Sequence, residues 1–244
     1  MSVAQFVTSK GVVVPAIRGD EMREVDRIAI SETGPNLYQM MENAGRSLAN
    51  RAVGMLGNLE DAPPIVVLAG TGGNGGGGIC AARHLANRGV DVTLVLTDES
   101  RLGDVPDHQL STYRATGGRF GGGEQLNGFE PALVIDAIIG YSLSGPPRGA
   151  ALEMIEWAIS ADVQTLSLDV PSGLDPTTGE SFGAYVTATE TMTLALPKTG
   201  LDVEAVGSLW LADIGIPLEV YRRAKIDVPD ELFGDQWVVS IHGR

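Results

Sequence analysis

The chain has 244 residues, 43% of them hydrophobic, which is enough to bury the core of one large α/β domain or of two small ones. Its formal net charge is −14 at pH 7. Nucleic acid is therefore not expected as a partner, because the phosphate backbone would be repelled. The apolar run at 12–17 contains Pro15 and is too short for a signal or a membrane span, so we expect a cytoplasmic protein with no membrane partner.

The first part of the chain is predicted to contain an irregular arm and two helices. We expect residues 1–19 to form the arm. A first helix is predicted to begin at Asp20, with apolar residues recurring at helical spacing behind it. A second, longer helix is predicted from Pro35 or Asn36 to about Leu56.

Strands and helices then alternate along the chain. The predicted strands lie at 65–69, 91–97, 132–138, 164–170, 188–196 and 208–212. The predicted helices lie at 78–88, near 106–116 and at 149–160, and the glycine-rich segment 117–123 is predicted to be a loop. Apolar strands separated by amphipathic helices are typical of a parallel sheet covered on both faces. We therefore expect residues 1–244 to form a single α/β domain, a three-layer αβα sandwich with a Rossmann-like, mostly parallel sheet.

The segment 65–78, IVVLAGTGGNGGGG, is the most informative in the chain. A strand, a glycine-rich turn and a helix together point backbone N–H groups and a helix N-terminus at an anion. Glycine lets the main chain approach a pyrophosphate without a Cβ in the way. The alternative is a flexible surface loop.

The same segment contains the dinucleotide fingerprint G-x-G-x-x-G at Gly70, Gly72 and Gly75. This pattern alone is a weak signal. The acidic residue expected after the second strand is absent except for Asp98, one position beyond it. An NAD-dependent oxidoreductase is the alternative that this fingerprint leaves open.

Polar residues follow the predicted strands, at the edge of the sheet where ligands bind in open parallel folds. Asp136 and Asp169 are each preceded by apolar strand residues. Burying a carboxylate is costly unless it is paired or bound to a cation, so these positions indicate a cation site or acid–base chemistry. The alternative is that each caps a following turn. The other polar residues at these strand ends are Thr71, Asn74, Tyr141, Ser142, Ser144, Ser172, Lys198 and Thr199.

The remaining candidate side chains are interpreted as structural. Cys80 lies in the first turn of the helix after the glycines, where a helix N-terminus could lower its pKa, but a small core residue is the preferred interpretation. His84, His108 and His242 are isolated in sequence from any ligand or triad partner, so we expect them to be structural or solvated.

Several ordered segments together resemble the YjeF N-terminal domain family, the NAD(P)H-hydrate epimerases. They are EMREVDRIAI (21–30), MMENAG (40–45), AGTGGNGGGG (69–78), VIDAIIG (134–140), LDVPSGLDPTTG (168–179), LPKTGL (196–201) and DIGIP (213–217). The resemblance extends over nearly the whole chain, and LDVPSGLDPTTG is its most specific part. It implies an isomerase that interconverts the R and S forms of C6-hydrated NAD(P)H, a damaged cofactor, so that an S-specific dehydratase can repair both.

The resemblance also implies the functional residues. Asp169 matches the position of an acid–base residue, and Asn74, Asp136 and Ser172 match a potassium site built from oxygen donors. The implied substrate-binding residues are Gly73, Asn74, Gly75, Gly76, Gly77, Gly140, Tyr141, Ser142, Leu143, Ser144, Gly145, Pro146 and Asp169. The dehydratase is expected to be a separate chain, and the protein is expected to be a homodimer.

The sequence departs from the family pattern inside the implied substrate site. Gly73 stands where the family has an asparagine, and Gly77 where it has an aspartate. The segment that is often G-T-G-L reads Gly140-Tyr141-Ser142-Leu143 here. These changes predict a weaker or altered epimerase. The alternative is a non-catalytic nucleotide-binding sensor or scaffold with the same fold.

Overall fold

The computed structural model describes residues 5–59 and 62–244. Over these residues, ten strands form one sheet in the order β2-β1-β10-β9-β8-β7-β6-β3-β4-β5. The strands are β1 (Gln5–Thr8), β2 (Val13–Pro15), β3 (Ile65–Ala69), β4 (Val92–Leu96), β5 (Arg119–Gly121), β6 (Leu133–Ala137), β7 (Gln164–Leu168), β8 (Glu190–Leu194), β9 (Ser208–Ala212) and β10 (Val238–Gly243). The strands from β5 to β9 in this order are parallel, and β10, β1 and β2 extend the sheet by antiparallel pairing.

Helices cover both faces of the parallel strands. They are α1 (Gly19–Ile28), α2 (Leu37–Leu56), α3 (Gly73–Ala86), α4 (Asp104–Arg114), α5 (Ala150–Ala161) and α6 (Leu218–Arg223). The central strand β3 shows the layering directly, because alternate residues of a strand point to opposite faces. Val67 packs in the same apolar cluster as Leu48 of α2 and Ile79 of α3. Val66 packs with Met154 of α5 on the other face. The expected α/β fold with a mostly parallel sheet is confirmed.

The expectation of an irregular arm over residues 1–19 is wrong where the structure describes it. Residues 5–8 and 13–15 form β1 and β2, and residues 1–4 lie outside the described range. Phe6 and Val14 are buried, and Phe6 pairs with Gly243 of β10. The sequence could not show this strand because its partner lies at the far end of the chain.

The glycine-rich segment also differs from its prediction. The helix expected at 78–88 begins five residues earlier, so the glycines after position 72 form the first turns of α3. Glycine has a low helix propensity, which is why a loop was expected there. The segment 117–123, predicted to be a loop, contains the short strand β5, and neither α6 nor β10 was predicted.

No helix within residues 5–59 and 62–244 combines the length and the apolar character required to cross a lipid bilayer.

Candidate active site

A cavity of about 100 Å³ lies where the carboxyl ends of the central strands meet α1, α2 and the start of α3. Its walls are mainly apolar, with a small number of polar groups between them, as is common for small-molecule sites. The lining residues are Asp26, Leu37, Met40, Met41, Ala44, Gly73, Asn74, Gly77, Gly140, Tyr141, Ser142, Leu168, Asp169, Leu194 and Ile214.

The glycines at the start of α3 differ in what they face. A Cβ on Gly75 would lie 1.8 Å from the Gly70 carbonyl oxygen, and one on Gly76 would lie 2.4 Å from the Met41 sulfur. These two glycines therefore permit close packing of the helix. Gly73 and Gly77 line the cavity instead, and a Cβ on Gly77 would lie 2.8 Å from Leu168 Cδ2.

Asp169 is positioned by the end of β7. It follows Leu168 with a φ of +69°, a left-handed conformation that is uncommon outside glycine and that concentrates at functional sites. Its side chain is buried, and Oδ2 accepts a hydrogen bond from the Tyr141 backbone N–H at 3.1 Å. Oδ1 forms an ion pair with the Lys198 ammonium, which also donates to the Leu194 carbonyl at 3.0 Å. The cavity thus contains a fixed carboxylate whose charge is balanced by a buried lysine.

Asp136 lies deeper, at the end of β6, and is fully buried. Its carboxyl group accepts hydrogen bonds from the Ser167 hydroxyl at 2.8 Å and from the Ser172 hydroxyl and backbone N–H at 2.5 and 2.9 Å. Burial raises the pKa of Asp136, and the hydrogen bonds from Ser172 and Ser167 oppose that effect. In the described part of the chain, no lysine, arginine or histidine forms an ion pair with this side chain.

Asn74 is the third side chain of the implied potassium site. Its Nδ2 is buried and, among the described residues, has no hydrogen-bond partner. Its Oδ1 lies beside Gly140, only 2.9 Å from where a Cβ would be. An unpartnered buried amide is unusual in a folded protein and is consistent with a ligand site. The oxygen donors of Asn74, Asp136 and Ser172 are of the kind that a hard cation prefers.

The remaining residues of the implied substrate loop lie beyond the cavity. Leu143, Ser144, Gly145 and Pro146 continue the chain from Ser142 but do not line the cavity, and Ser144 and Pro146 are exposed. They border the site from the surface.

Asp26, which no sequence motif indicated as a site residue, reaches the cavity from α1. The Tyr141 hydroxyl donates a hydrogen bond to Asp26 Oδ2. Burial raises the pKa of Asp26, while the Tyr141 hydrogen bond and the Lys198 charge lower it. The available signal was its position on α1 directly after Val25, at the border of the apolar face.

A second polar cluster links α2 and α3. His84 Nε2 lies 2.8 Å from Glu42 Oε1, and Arg83 Nη2 lies 2.5 Å from Glu42 Oε2 and 3.4 Å from Cys80 Sγ. Glu42, Cys80 and His84 are close enough to hold a metal ion together, but the Arg83 guanidinium contacts all three and already supplies the positive charge. Cys80 is the eighth residue of α3 and not in its first turn, and it is fully buried, so its interpretation as a small core residue is supported. Burial raises the pKa of its thiol to about 12.

Asp98, the candidate ribose ligand in the oxidoreductase interpretation, forms hydrogen bonds with a neighbouring residue of the chain. Its Oδ1 accepts hydrogen bonds from the backbone N–H and the hydroxyl of Ser100, at 3.0 and 2.6 Å, and caps a short 3₁₀ turn.

The fold and the cavity define an α/β protein with a cavity at the carboxyl edge of a Rossmann-like parallel sheet, where open parallel folds bind their ligands. A family model described as YjeF-related protein N-terminus matches residues 37–200, and the chain belongs to this family. The chain is 49% identical, over 90% of its own length and 90% of the relative, to a protein from Dehalogenimonas lykanthroporepellens named NAD(P)H-hydrate epimerase.

Other relatives include a bifunctional NAD(P)H-hydrate repair enzyme from Salinibacter ruber, 36% identical over 86% of this chain and 42% of that protein. Among solved structures, the yeast protein ynu0 superimposes with a TM-score of 0.83 at 21% identity, covering 93% of this chain and 100% of that one. This likeness shows the shared fold.

Proposed function

We propose that the protein is an NAD(P)H-hydrate epimerase. The observation that carries the proposal is the buried Asp169 carboxylate facing the cavity, in a chain 49% identical over most of its length to a relative with that name. The apolar wall of Leu37, Met41 and Leu194 suits one face of a reduced nicotinamide ring.

The chemistry requires a proton donor and a proton acceptor near C6 of the substrate. The lone pair of the ring nitrogen expels the C6 hydroxyl as water when an acid protonates it, which leaves a planar iminium. Water then adds to the other face and gives its proton to a base. Asp169 is the proposed acid–base residue, because its carboxylate is buried and fixed in the cavity by Lys198 and by the Tyr141 N–H.

The phosphate and ribose side of the substrate is proposed to lie along the start of α3 and the turn at 140–146. The first backbone N–H groups of a helix have no partner within it and favour an anion. Gly73 and Gly77 expose this part of the backbone to the cavity because they carry no side chain.

We propose potassium as the metal, held by Asn74, Asp136 and Ser172. Two features support it: the buried carboxyl of Asp136 has no ion-pair partner in the described residues, and the Ser172 hydroxyl oxygen lies 2.5 Å from one of its oxygens, so that two oxygen donors already meet. A bound cation would supply positive charge that balances Asp136 and attracts the substrate phosphates.

A sensor or scaffold is the second candidate. The observation that favours it is the space beside Gly77, where Leu168 Cδ2 occupies the position that a side chain at 77 would need. The cavity is thus shaped differently from one with an aspartate at 77.

A separate S-specific dehydratase is the proposed pathway partner, and the protein is proposed to work in the cytoplasm as a homodimer. The names of the bifunctional relatives from Salinibacter ruber and Moorella thermoacetica support the pairing of the two activities, since this chain matches only 42% and 40% of their lengths.

The decisive experiment adds the purified protein to a mixture of the R and S epimers of C6-hydrated NADH (NADHX), together with an S-specific dehydratase. We expect complete recovery of NADH, including the part derived from the R form, at a rate that depends on the protein concentration. If the R form persists at the spontaneous rate while the protein binds NADHX, the sensor interpretation replaces the epimerase.

A further inference from the structure

Two carboxyl groups reach the same cavity from different elements. Asp169 extends from the end of β7, and Asp26 extends from α1. Tyr141 contacts both: its backbone N–H donates to Asp169 Oδ2, and its hydroxyl donates to Asp26 Oδ2. The two carboxyl groups are therefore held apart by the length of one tyrosine side chain, with the cavity beside them.

The two groups differ in how their charge is balanced. Asp169 forms a buried ion pair with Lys198. Asp26 has no ion-pair partner within residues 5–59 and 62–244, and its contact is the neutral hydroxyl of Tyr141. Two carboxyl groups with opposed environments are the usual arrangement when one acts as an acid and the other as a base.

We propose that Asp26 is a second catalytic residue, which acts on the face of the substrate ring opposite to the face served by Asp169. The inference rests on the proposed epimerase function. Inversion of a carbon centre by water requires a donor on the departing side and an acceptor on the attacking side, and two separated carboxyl groups meet that requirement.

The step balances with water alone. For one epimer, protonated Asp26 gives its proton to the C6 hydroxyl, the C6–O bond breaks, and the ring nitrogen lone pair forms the N1–C6 double bond. A second water then attacks C6 from the other face and gives a proton to the Asp169 carboxylate. The opposite epimer reacts by the same steps in reverse, starting from ionised Asp26 and protonated Asp169.

Isotope exchange separates the two carboxyl groups. In water enriched in oxygen-18, the wild type should exchange the C6 hydroxyl of both epimers while interconverting them. Asp26→Asn should slow interconversion by about a hundredfold, the low end for loss of a general acid–base group. One epimer should still exchange its hydroxyl with retention, because Asp169 continues to act on its own face. Asp169→Asn should preserve exchange in the other epimer.

Glu24→Gln is the matched control, because Glu24 lies on the same helix but pairs with Arg27 on the exposed face. It should leave exchange and interconversion unchanged. Asp26→Glu should recover part of the lost rate, since it restores a carboxyl group.

A pH profile gives a second readout. The groups that face Asp26 or its hydrogen-bond partner are Tyr141, Lys198, Asp169, Tyr221 on α6 and Arg23 on α1. Asp26 acts as an acid when protonated, so the rate for its epimer falls as pH rises through its pKa. The Tyr141 hydrogen bond lowers that pKa, so Tyr141→Phe should move the falling limb to higher pH.

The outcomes distinguish the inference from the proposed function. A wild type with no epimerase activity would overturn both. If the wild type is active and Asp26→Asn interconverts the epimers within about threefold of its rate, Asp26 has no catalytic role while the epimerase stands. If Asp26→Asn loses exchange of both epimers equally, Asp26 only supports Asp169.

Discussion

Four carboxyl groups of the site and of the neighbouring helices fall into two pairs that differ in how their charge is balanced. Asp169 and Glu42 lie against cationic side chains, Lys198 and Arg83. Asp136 and Asp26 are held by hydroxyl and backbone donors, with no ion pair in the described residues. Burial raises the pKa values of Asp136 and Asp26. Burial also acts on Glu42, but the hydrogen bonds from Arg83 and His84 outweigh it and lower the pKa of Glu42 to about 2. A carboxyl group that pairs with a lysine or arginine has its negative charge balanced within the protein, and one without such a partner is suited to bind a cation or a proton.

The largest effect is expected from removing the Asp169 carboxylate, which pairs with the Lys198 ammonium. Asp169→Ala should lower epimerase activity by at least about a hundredfold. It should also lower the free energy of unfolding by about 3–5 kcal/mol, because it leaves Lys198 buried without its partner. Steady-state kinetics and denaturant unfolding measure the two effects.

The double variant Asp169→Ala/Lys198→Met is the control for this prediction. It removes both charges, so it should recover most of the stability and none of the activity. A single variant that turns over at nearly the wild-type rate would remove Asp169 from the mechanism.

Adding a carboxylate that has no positively charged partner tests the second pair of carboxyl groups in this comparison. Gly77→Asp places a side chain 2.8 Å from Leu168 Cδ2, and overpacking of this kind costs about 1–3 kcal/mol before the new charge is counted. Gly73→Asn meets only Met41 Cε at 3.7 Å, so it should fold normally and tighten substrate binding several-fold, by about 0.5–1.5 kcal/mol.

Thermal unfolding and NADHX titration of the two single variants and of the double variant test this difference. Leu168→Val should partly rescue Gly77→Asp, because it removes the colliding methyl. If Gly73→Asn binds NADHX more weakly than the wild type, the cavity is shaped for another ligand.

Potassium bound beside Asp136 should stabilise the folded protein. At a concentration about 100 times its dissociation constant, a ligand that binds only the folded state stabilises it by about 2.7 kcal/mol. We expect potassium to raise the melting temperature of the wild type relative to an equal concentration of a large organic cation. Asp136→Asn should abolish this difference, and Asp98→Asn, which alters a distant cap, should retain it. Equal melting temperatures of the wild type in both salts would argue against the site.

The smallest effect is expected at Glu42, which is partly exposed. Glu42→Gln should lower the free energy of unfolding at pH 7 by about 1 kcal/mol, because its hydrogen bonds to Arg83 and His84 are screened by solvent. The pKa of Glu42 is lower in the folded protein than in the unfolded chain. Its contribution is therefore complete above about pH 4.5 and is lost as pH falls toward about 2. Unfolding of both proteins at several pH values should show the difference shrinking over that range, and a constant difference would contradict it.

The sequence predicted the parts of this molecule that depend on local pattern. The buried strands β3, β4 and β6 are short, mostly apolar runs, because both faces of a parallel sheet are covered. The carboxyl groups at the ends of such runs followed from the cost of burying them, and that reasoning located Asp136 and Asp169 at the sheet edge.

The parts that depend on distant contacts were not predictable. The start of α3 is held by close packing of glycines against the strand-end backbone and Met41, which overrides their low helix propensity. Asp26 enters the cavity only because α1 packs beside the turn at Tyr141, 115 positions further along the chain. His84 looked isolated because its partner, Glu42, lies on another helix.

The pairing of β1 with β10 has a consequence for how the protein is made. Phe6 of β1 lies opposite Gly243 of β10, so this edge of the sheet is incomplete until the chain has been made as far as β10. β1 is therefore made long before the strand that it pairs with. Until β10 has been made, the edge of β1 that faces it remains open to pairing with other chains.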